Sequence, residues 1–270
     1  MAAPHTHDLS WKVFEQKSAA YAQAPLTFVA VSQWVEERAR QSALAAHHPI
    51  EVIPNTIPTS LFQPMDKQQA RAYLGIPANA RVIVFGAARI DQPIKGLDRL
   101  LTALSRIAQT NIPASSPTAS APLHLLLFGT CKDNALLQHI PCPYTHVGTV
   151  DNTDTLCRIY SAADVVVSAS AYETFGLTLA EAMACGCIPV SFDRGGQTDI
   201  IEHRVNGYLA HYPDVDDLAA GIQWAFNAEL PLEILRHSVA TRFGEETVAR
   251  RHIELYEQVS KHKTLIVNRT

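Results

Sequence analysis

The sequence predicts an α/β protein whose main part is a doubly wound parallel sheet, because short apolar runs alternate with helical patterns from about residue 50 onward. The apolar runs are rich in β-branched residues and lack polar alternation, which indicates strands that helices cover on both faces. Hydrophobic residues make up 47% of the 270 residues and charged residues 18%, a composition typical of a folded core. A ligand of such a sheet binds outside the carboxyl ends of the strands, at a topological switch point.

Local patterns assign the elements of this sheet in order along the chain. The predicted strands are Arg81–Gly86, Leu123–Phe128, a short one near His146-Val147, Asp164–Val167, Ile188–Phe192 and Tyr208–Ala210. The predicted helices are Leu97–Ile107, Asn134–His139, one through Leu156–Tyr160 capped by Asp151 or Thr153, Leu177–Cys185, Thr198–Glu202, and Asp217–Phe226 capped by Asp214. The stretch Gln109–Pro122 is rich in Pro, Ser, Thr and Ala, and it predicts a surface loop.

The first fifty residues form a separate strand-helix unit in this prediction. Helical residues run to Ala22, a strand covers Thr27–Val31, and a helix runs from Gln33 to about Ala46. A lone apolar strand cannot satisfy its backbone hydrogen bonds. It must therefore join the main sheet, pair with a second copy, or belong to a domain largely missing from this sequence, and we favour the third option.

Charge and cysteine content exclude several classes of function. The formal net charge is −4, so the chain as a whole does not attract nucleic acid, and any anion must be bound by a local site. The five cysteines and twelve histidines lack zinc-ligand spacing, and we interpret Cys185-Gly186-Cys187 as buried small residues. No apolar run approaches the roughly 20 residues that span a bilayer. We expect a reduced, cytoplasmic setting, in which any membrane contact is peripheral and made by the missing domain.

Two cations lie on the loop that follows the first strand of the main sheet. In Gly86–Gly96, Arg89 and Lys95 are six positions apart, next to the start of a helix. Converging there, an arginine fork and a lysine point charge would neutralise a diphosphate. The spacing alone also fits two solvated cations on a turn.

Two glutamates flank a predicted helix N-terminus in the segment Ser170–Gly186. Glu173 stands just outside the helix, near where a sugar hydroxyl would lie, and Glu181 lies one turn inside it, within reach of a ribose. The backbone N–H groups that would face an anion there belong to Gly176, Leu177 and Thr178. The alternative is a capping Glu173 and a solvated Glu181, which fits poorly beside Met183 and two cysteines.

Two further motifs are weak by themselves. The pair Gly195-Gly196 lies between a strand and a helix, and it allows either the close approach of a sugar or a tight turn. The triplet Asp214-Val215-Asp216 is similar to a metal-binding Asp-x-Asp, but its place before a helix favours a cap.

With these motifs together, the chain resembles the retaining glycosyltransferases of the GT-B fold, in the group called family 4. The spacing of Glu173 and Glu181 matches the family's pair of glutamates with seven residues between them, and the residues around both match closely. The other matching motifs are Ile53-Pro54-Asn55, the loop with Arg89 and Lys95-Gly96, Tyr160–Asp164 and Gly195-Gly196. The resemblance covers about residues 26–227 and implies a Rossmann-like domain that binds a nucleoside diphosphate sugar.

The resemblance also implies roles for the matching positions. Arg89 and Lys95 would hold the diphosphate and stabilise the charge of the leaving group, and Glu181 would bind the ribose hydroxyls. Glu173 would contact a hydroxyl of the donor sugar, and the loop Gly148–Val150 would hold the base. The remaining predicted donor contacts are Gly86, Phe175, Gly176, Leu177 and Thr178. Transfer would occur with retention, and without a metal or another cofactor.

The sequence departs from the family at its N-terminal end. In the family a whole Rossmann domain precedes the matching region, and it supplies acceptor contacts and a glycine-rich loop. Residues 1–48 resemble only the end of that acceptor domain, residues 49–230 the donor domain, and residues 231–270 the helical segment that returns toward the first domain. We therefore expect partners in a missing N-terminal domain or, through the N-terminal strand, in a second copy. The acceptor is expected to be a sugar or a lipid-linked sugar, in glycan or polysaccharide synthesis.

Several other functions compete with a sugar transferase. A non-catalytic subunit that binds a nucleotide sugar is the principal alternative, but such a subunit does not require Arg89, Lys95, Glu173 and Glu181 together. An epimerase or phosphorylase on the same scaffold would place other residues around the sugar. A dehydrogenase is excluded, because no Gly-x-Gly-x-x-Gly follows the first strand and no acid lies about 20 residues later.

Overall fold

The computed structural model describes residues 8–109 and 121–267, with side chains as far as Lys261. Contacts divide the chain into two compact units. One contains the described residues up to Pro54 and those from Arg251 onward, and the other is Asn55–Arg250. Most of the predicted loop Gln109–Pro122 lies outside the described residues.

The first unit contains a small parallel sheet. Its elements are α1 (Leu9–Gln23), β1 (Phe28–Ala30), α2 (Gln33–Arg40) and β2 (Ile50–Val52). The strand β1 pairs in parallel with β2, with Phe28 opposite Ile50. The buried residues Ala30, Ala45 and Ile50 form a small core cluster in this unit. The N-terminal strand therefore has a partner within the chain, in residues that the sequence pattern alone assigned to the following domain.

The second unit is built on a six-stranded sheet in which every pair of neighbours is parallel. Its strands are β3 (Arg81–Arg89), β4 (Leu123–Thr130), β5 (Tyr144–His146), β6 (Val165–Ser168), β7 (Ile188–Phe192) and β8 (Tyr208–Ala210). They lie in the order β5-β4-β3-β6-β7-β8. The chain therefore winds outward from β3 in one direction and from β6 in the other, which confirms the doubly wound fold and places its switch point between β3 and β6.

Helices enclose this sheet and bury its strands. They are α3 (Lys67–Leu74), α4 (Leu97–Gln109), α5 (Asn134–Leu137), α6 (Thr153–Ala162), α7 (Leu177–Ala184), α8 (Val215–Asn227) and α9 (Leu232–Phe243). The last helix, α10 (Glu245–Val267), begins in this unit and belongs to the first unit from Arg251 onward. Central strand residues such as Ile83 and Val166 are fully buried. The predicted apolar face of α4 is buried along its whole length, from Leu97 to Ile107. In the part of the chain that is described, no helix combines the length and apolar character of a membrane span.

Several element ends differ from the sequence prediction. The cap of α6 is Asn152, because its extended backbone lets its side-chain oxygen accept from the Thr155 N–H at 2.8 Å. The predicted helix Thr198–Glu202 is a 3-10 turn at Gly196–Asp199, and α2 ends at Arg40. Asp214 caps α8 through the N–H groups of Asp216 and Asp217, as predicted.

Candidate functional site

A cleft of about 230 Å³ opens at the switch point of the main sheet. One wall comes from the end of β3 and the loop after it, including Gly86 and Lys95. The other wall comes from the end of β6 and the residues that lead into α7, including Ser170 and Glu173–Leu179. The cleft therefore lies where the topology of a doubly wound sheet predicts a ligand site.

Backbone contacts hold the loop after β3 against the segment after β6. Residues Pro93–Lys95 form a 3-10 turn whose Ile94 carbonyl accepts from the Ala171 N–H at 2.8 Å. The next residue, Gly96, has a φ of +75°, and a Cβ there would come within 2.0 Å of the Ala169 oxygen. Only glycine permits this close approach. The approach brings Lys95 to the opposite wall of the cleft.

Lys95 and Glu173 meet across the cleft although they are 78 residues apart in sequence. The Lys95 Nζ lies 2.7 Å from Glu173 Oε1, and the same oxygen accepts from the Ser170 hydroxyl at 2.8 Å. Both side chains are partly exposed, at 28% and 21%. A lysine ammonium has three N–H donors, so this ion pair leaves two of them for an anion in the cleft.

The N-terminus of α7 faces the same cleft. Its N-cap is Gly176, with a φ of +113° and no capping side chain, and the first N–H groups of a helix have no acceptor within the helix. Phe175 anchors this end: its ring is 1% exposed and packs edge-on against Phe243 at 5.2 Å. Leu177 and Thr178 also line the cleft. The N-terminal amides and the positive end of the helix dipole make this surface chemically suited to an anion.

The pair Gly195-Gly196 packs against the backbone that carries Glu173. The Gly196 N–H donates to the Glu173 carbonyl at 2.8 Å. A Cβ on Gly196 would come within 2.2 Å of the Thr174 oxygen, and a Cβ on Gly195 within 2.7 Å of the Glu173 oxygen. The two glycines therefore allow two backbone segments to touch, and this contact holds Glu173 in place.

Glu181 lies on α7, eight positions after Glu173, and among the described residues it is not part of the cleft lining. The Tyr160 hydroxyl donates to Glu181 Oε2 at 2.9 Å. Burial raises the pKa of Glu181 above its ordinary 4.5, while the bond from Tyr160 acts in the opposite direction. Burial, with the adjacent carboxylate, raises the pKa of Tyr160 well above its usual value, so the hydroxyl stays a donor. Glu181 is therefore a half-buried acid with a neutral partner.

Arg89 lies at the end of β3, and Asp91 binds its guanidinium. Nε and Nη2 donate to the two Asp91 oxygens at 2.8 and 3.2 Å. The backbone N–H groups of Lys132 and Asp133 add bonds to the same carboxylate, and the bond from Arg89 lowers the pKa of Asp91 to about 2. Among the described residues the cleft lining includes Lys95 but not Arg89. The sequence spacing placed the two cations together, whereas the structure directs Arg89 to the loop after β4.

The predicted base-binding loop follows β5 at the same edge of the sheet. Gly148 has a φ of +81°, and its carbonyl accepts from the Gly129 N–H at 2.7 Å. Space around Gly148 is open, so its backbone angle alone requires glycine there. Val150 follows in the same irregular stretch. This loop lies beyond β4, separate from the lining of the cleft.

Three polar residues of this region lie in motifs that the sequence analysis named, but they had no predicted role. Ser170 and Asn55 line the cleft, and Asp91 holds Arg89. The order strand, serine, acid was a usable signal for Ser170, and an acid two positions after Arg89 was one for Asp91. Asn55 belongs to the matching motif Ile53-Pro54-Asn55, which was the available signal for it. Among the described side chains, in residues 8–109 and 121–261, no three His, Cys, Asp or Glu side chains gather as metal ligands.

Comparison with known proteins connects this cleft to a family. Residues 66–242, more than half of the chain, match the sequence profile described as "Glycosyl transferases group 1". The chain belongs to this family. The matched range contains Lys95, Glu173 and Glu181, and it includes every strand of the main sheet.

A curated relative and two solved structures show the extent of the likeness. The D-inositol 3-phosphate glycosyltransferase of Segniliparus rotundus is 32% identical over 169 residues, which cover 59% of this chain and 35% of that protein. The sucrose-phosphate synthase of Thermosynechococcus elongatus superposes with a TM-score of 0.75 at 25% identity, over 97% of this chain and 65% of that one. Anabaena Alr3699/HepE in complex with UDP-glucose has a TM-score of 0.73 at 23% identity, over 93% and 69%, which shows a shared fold. The chain thus spans about a third of the length of the Segniliparus relative.

Proposed function

We propose that this chain forms the donor-binding part of a glycosyltransferase, which transfers a sugar from a nucleoside diphosphate sugar to an acceptor with retention at the anomeric carbon. The observation that carries the proposal is the cleft at the switch point. There a lysine, a glutamate and the N-terminus of α7 converge. A cation and free amides suit a diphosphate, and an acid beside them suits a sugar hydroxyl.

In this proposal the positive groups of the cleft hold the diphosphate and stabilise its charge as the leaving group departs. Lys95 and the first amides of α7, at Gly176, Leu177 and Thr178, supply this stabilisation in place of a metal ion or other cofactor. Arg89 joins them when its guanidinium exchanges Asp91 for a phosphate oxygen. That exchange breaks two hydrogen bonds from Arg89 to Asp91. Arg89 therefore adds less than Lys95 to the affinity for the diphosphate.

The remaining parts of the donor are proposed to lie on either side of the diphosphate. Glu173 receives a hydroxyl of the sugar and helps to place its anomeric carbon. Glu181 accepts from the ribose through Oε1, since among the described hydrogen bonds Tyr160 uses only Oε2. The base lies near Gly148–Val150. The structural relative from Anabaena was crystallised with UDP-glucose, which supports a donor of this class.

The acceptor is proposed to be a sugar or a lipid-linked sugar, in glycan or polysaccharide synthesis. The Segniliparus relative is named a D-inositol 3-phosphate glycosyltransferase, and the match covers 35% of it. We propose that a second domain, like the other half of such relatives, completes the acceptor side, either on the same polypeptide or on a partner. The first compact unit, with its two-stranded sheet, is the surface we propose for that domain or for a second copy.

A panel of nucleotides tests the donor site directly. UDP, ADP and GDP, each with its glucose conjugate, are added to the purified chain, and the unfolding temperature is recorded. A ligand that binds only the folded state raises this temperature, and at 100 times its Kd it adds about 2.7 kcal/mol. We expect a rise with one base in preference to the others. No rise with any compound at millimolar concentration would remove the proposal.

A non-catalytic subunit that binds a nucleotide sugar is the second candidate, because the chain covers only part of its relatives. The two functions differ in whether the bound sugar is then transferred. The tightest nucleotide sugar from the panel is incubated with the chain, an acceptor mixture and an added domain homologous to the other half of the relatives. Labelled sugar in a product, at a rate that falls with Glu173→Ala, supports the transferase. Binding without transfer under these conditions supports the subunit.

A further inference from the structure

The hydroxyl of Tyr160 has a fixed direction before any ligand enters. The side chain is 1% exposed, and its ring packs edge-on against Phe128 at 5.8 Å and tilted against Phe62 at 6.4 Å. The Tyr160 carbonyl accepts from the Cys187 thiol at 2.9 Å and from the Ala163 N–H at 3.1 Å, which fixes the end of α6. A buried ring of this kind has little rotational freedom, so the packing of α6 decides where its O–H points.

This hydroxyl meets the carboxylate of Glu181 on the neighbouring helix. The 2.9 Å bond reaches Oε2, and an ionised carboxylate can only accept, so the tyrosine is the donor. The bond joins α6 to α7 one turn after Gly176, the N-cap at which the cleft begins. A glutamate side chain on a helix otherwise samples several rotamers. Its bond to a rigid tyrosine restricts the carboxylate plane and leaves Oε1 for another donor.

We propose that Tyr160 is a positioning residue, which holds Glu181 so that Oε1 selects the ribose of the nucleotide over a deoxyribose. The inference rests on the function proposed above. A ribose offers two hydroxyl donors where a 2′-deoxyribose offers one, and a fixed, half-buried acceptor left without its donor is costly. Tyr160 does not touch the nucleotide, so its effect passes entirely through Glu181.

Glu173 serves as the internal comparison for this role. Its carboxylate has two charged or polar partners in the open cleft, Lys95 and Ser170, and both bind the same oxygen, Oε1. Glu181 instead has the rigid and neutral partner Tyr160. A neutral donor orients a carboxylate without adding a positive charge that would compete for the ribose hydroxyls. This arrangement suits recognition of an uncharged sugar.

The test measures the preference for ribose by calorimetry. UDP and 2′-deoxy-UDP are titrated into the wild type, Tyr160→Phe, Glu181→Ala and the double variant, or the ADP or GDP pair if the nucleotide panel favours that base. We expect the wild type to prefer the ribonucleotide by about tenfold or more, the worth of one bond to a charged group. Tyr160→Phe should reduce this preference by about threefold or more, and Glu181→Ala should abolish it.

The double variant separates positioning from a general effect on the fold. If Tyr160 acts through Glu181, its hydroxyl has no further effect on the preference once Glu181 is alanine. Tyr73→Phe is the matched control, since Tyr73 is 66% exposed on α3, and it should leave the preference unchanged. Melting curves confirm that each variant is folded. If Tyr160→Phe does not fold, Glu181→Ala still tests the inference, because Tyr160 is proposed to act only through Glu181. A preference for the ribonucleotide that persists in Glu181→Ala, where Tyr160 is intact, would overturn it.

Three further results would overturn the inference without removing the proposed function. Tyr160→Phe could keep the full preference of the wild type, or it could weaken both nucleotides equally, which marks a structural role. The wild type could also bind both nucleotides with equal affinity, which removes ribose selection while the proposed donor site stands. If no nucleoside diphosphate binds the wild type at all, the proposed function itself fails, and the inference fails with it.

Discussion

The mouth of the cleft and the interior of α7 hold two glutamates from one short segment, yet in opposite surroundings. Glu173 is paired with the cation Lys95 and the hydroxyl of Ser170, close to solvent. Glu181, eight positions later, is half-buried, and its partner is the neutral Tyr160. The difference teaches that the partner of a carboxylate, more than its side-chain type, decides its chemistry. In the proposed function the charged pair serves the diphosphate and the reacting sugar, and the neutral pair serves the ribose.

The largest expected effect comes from removing the cation of the charged pair. Lys95→Ala should weaken nucleoside diphosphate binding by about tenfold or more, because one charge-assisted contact to phosphate is lost. Calorimetry with UDP, or with the base that the nucleotide panel selects, measures the change. Arg89→Ala should cost about threefold, because this guanidinium must first leave Asp91.

Lys67→Ala is the matched control for the lysine. Lys67 also forms an ion pair, with Asp164 at 2.9 Å, but it lies outside the lining of the cleft among the residues described. Its removal should leave nucleotide affinity unchanged. If Lys95→Ala folds and binds as tightly as the wild type, Lys95 has no part in holding the diphosphate.

Removing the acid of the same pair should affect the sugar instead. Glu173→Ala should leave the affinity for the nucleoside diphosphate unchanged or raise it slightly, because Lys95 then gives its whole charge to the phosphates. The attached sugar is expected to increase affinity over that of the nucleotide alone, and this increase should fall by about tenfold. That factor corresponds to the loss of one hydrogen bond to a charged group. Titrations with the nucleotide and with its sugar conjugate separate the two effects. Equal losses for both ligands would contradict this division.

The smallest expected effect is on stability, and it distinguishes the pair of Glu181 and Tyr160 from the charged pair of Glu173 and Lys95. The pKa of Glu181 is raised by burial, so the folded state favours the protonated acid. The contribution of Glu181 to the free energy of unfolding is therefore greatest below its ordinary pKa of 4.5. This contribution is lost as pH rises from there through the folded-state pKa. Glu181→Gln keeps an acceptor for Tyr160 without the charge. It should therefore unfold at a higher temperature than the wild type at neutral pH, by about 2–4 °C for each 1 kcal/mol gained.

The pH dependence provides the check on that prediction. The advantage of Glu181→Gln should shrink as pH falls through the folded-state pKa and be gone below about 4.5, where the wild-type acid is protonated. Glu173→Gln is the matched comparison, and it should give no such advantage, because it removes the charged partner of Lys95. A stability difference for Glu181→Gln that is the same at every pH would show that its charge is not the cause.

Much of the fold follows from patterns that are local in the sequence. The spacing of apolar residues along the sequence predicts strands such as Val165–Ser168 and the apolar face of the helix Leu97–Ile107. The structure confirms both, and it buries their apolar side chains. The turn before α7 is equally local, since Gly176 must adopt a positive φ. The ends of shorter elements were less predictable, as the 3-10 turn at Gly196–Asp199 shows, because the packing of neighbours selects among similar local geometries.

The sequence by itself therefore determined the doubly wound class, the order of its elements and the edge of the sheet at which the candidate site lies, because periodicity and turn chemistry act over a few residues. Only the tertiary structure decided the pairing of side chains. Lys95 meets Glu173, Tyr160 meets Glu181, and Arg89 turns to Asp91 instead of joining Lys95. Such pairings depend on where distant segments cross and on the rotamers that burial permits, and no local pattern encodes either of these.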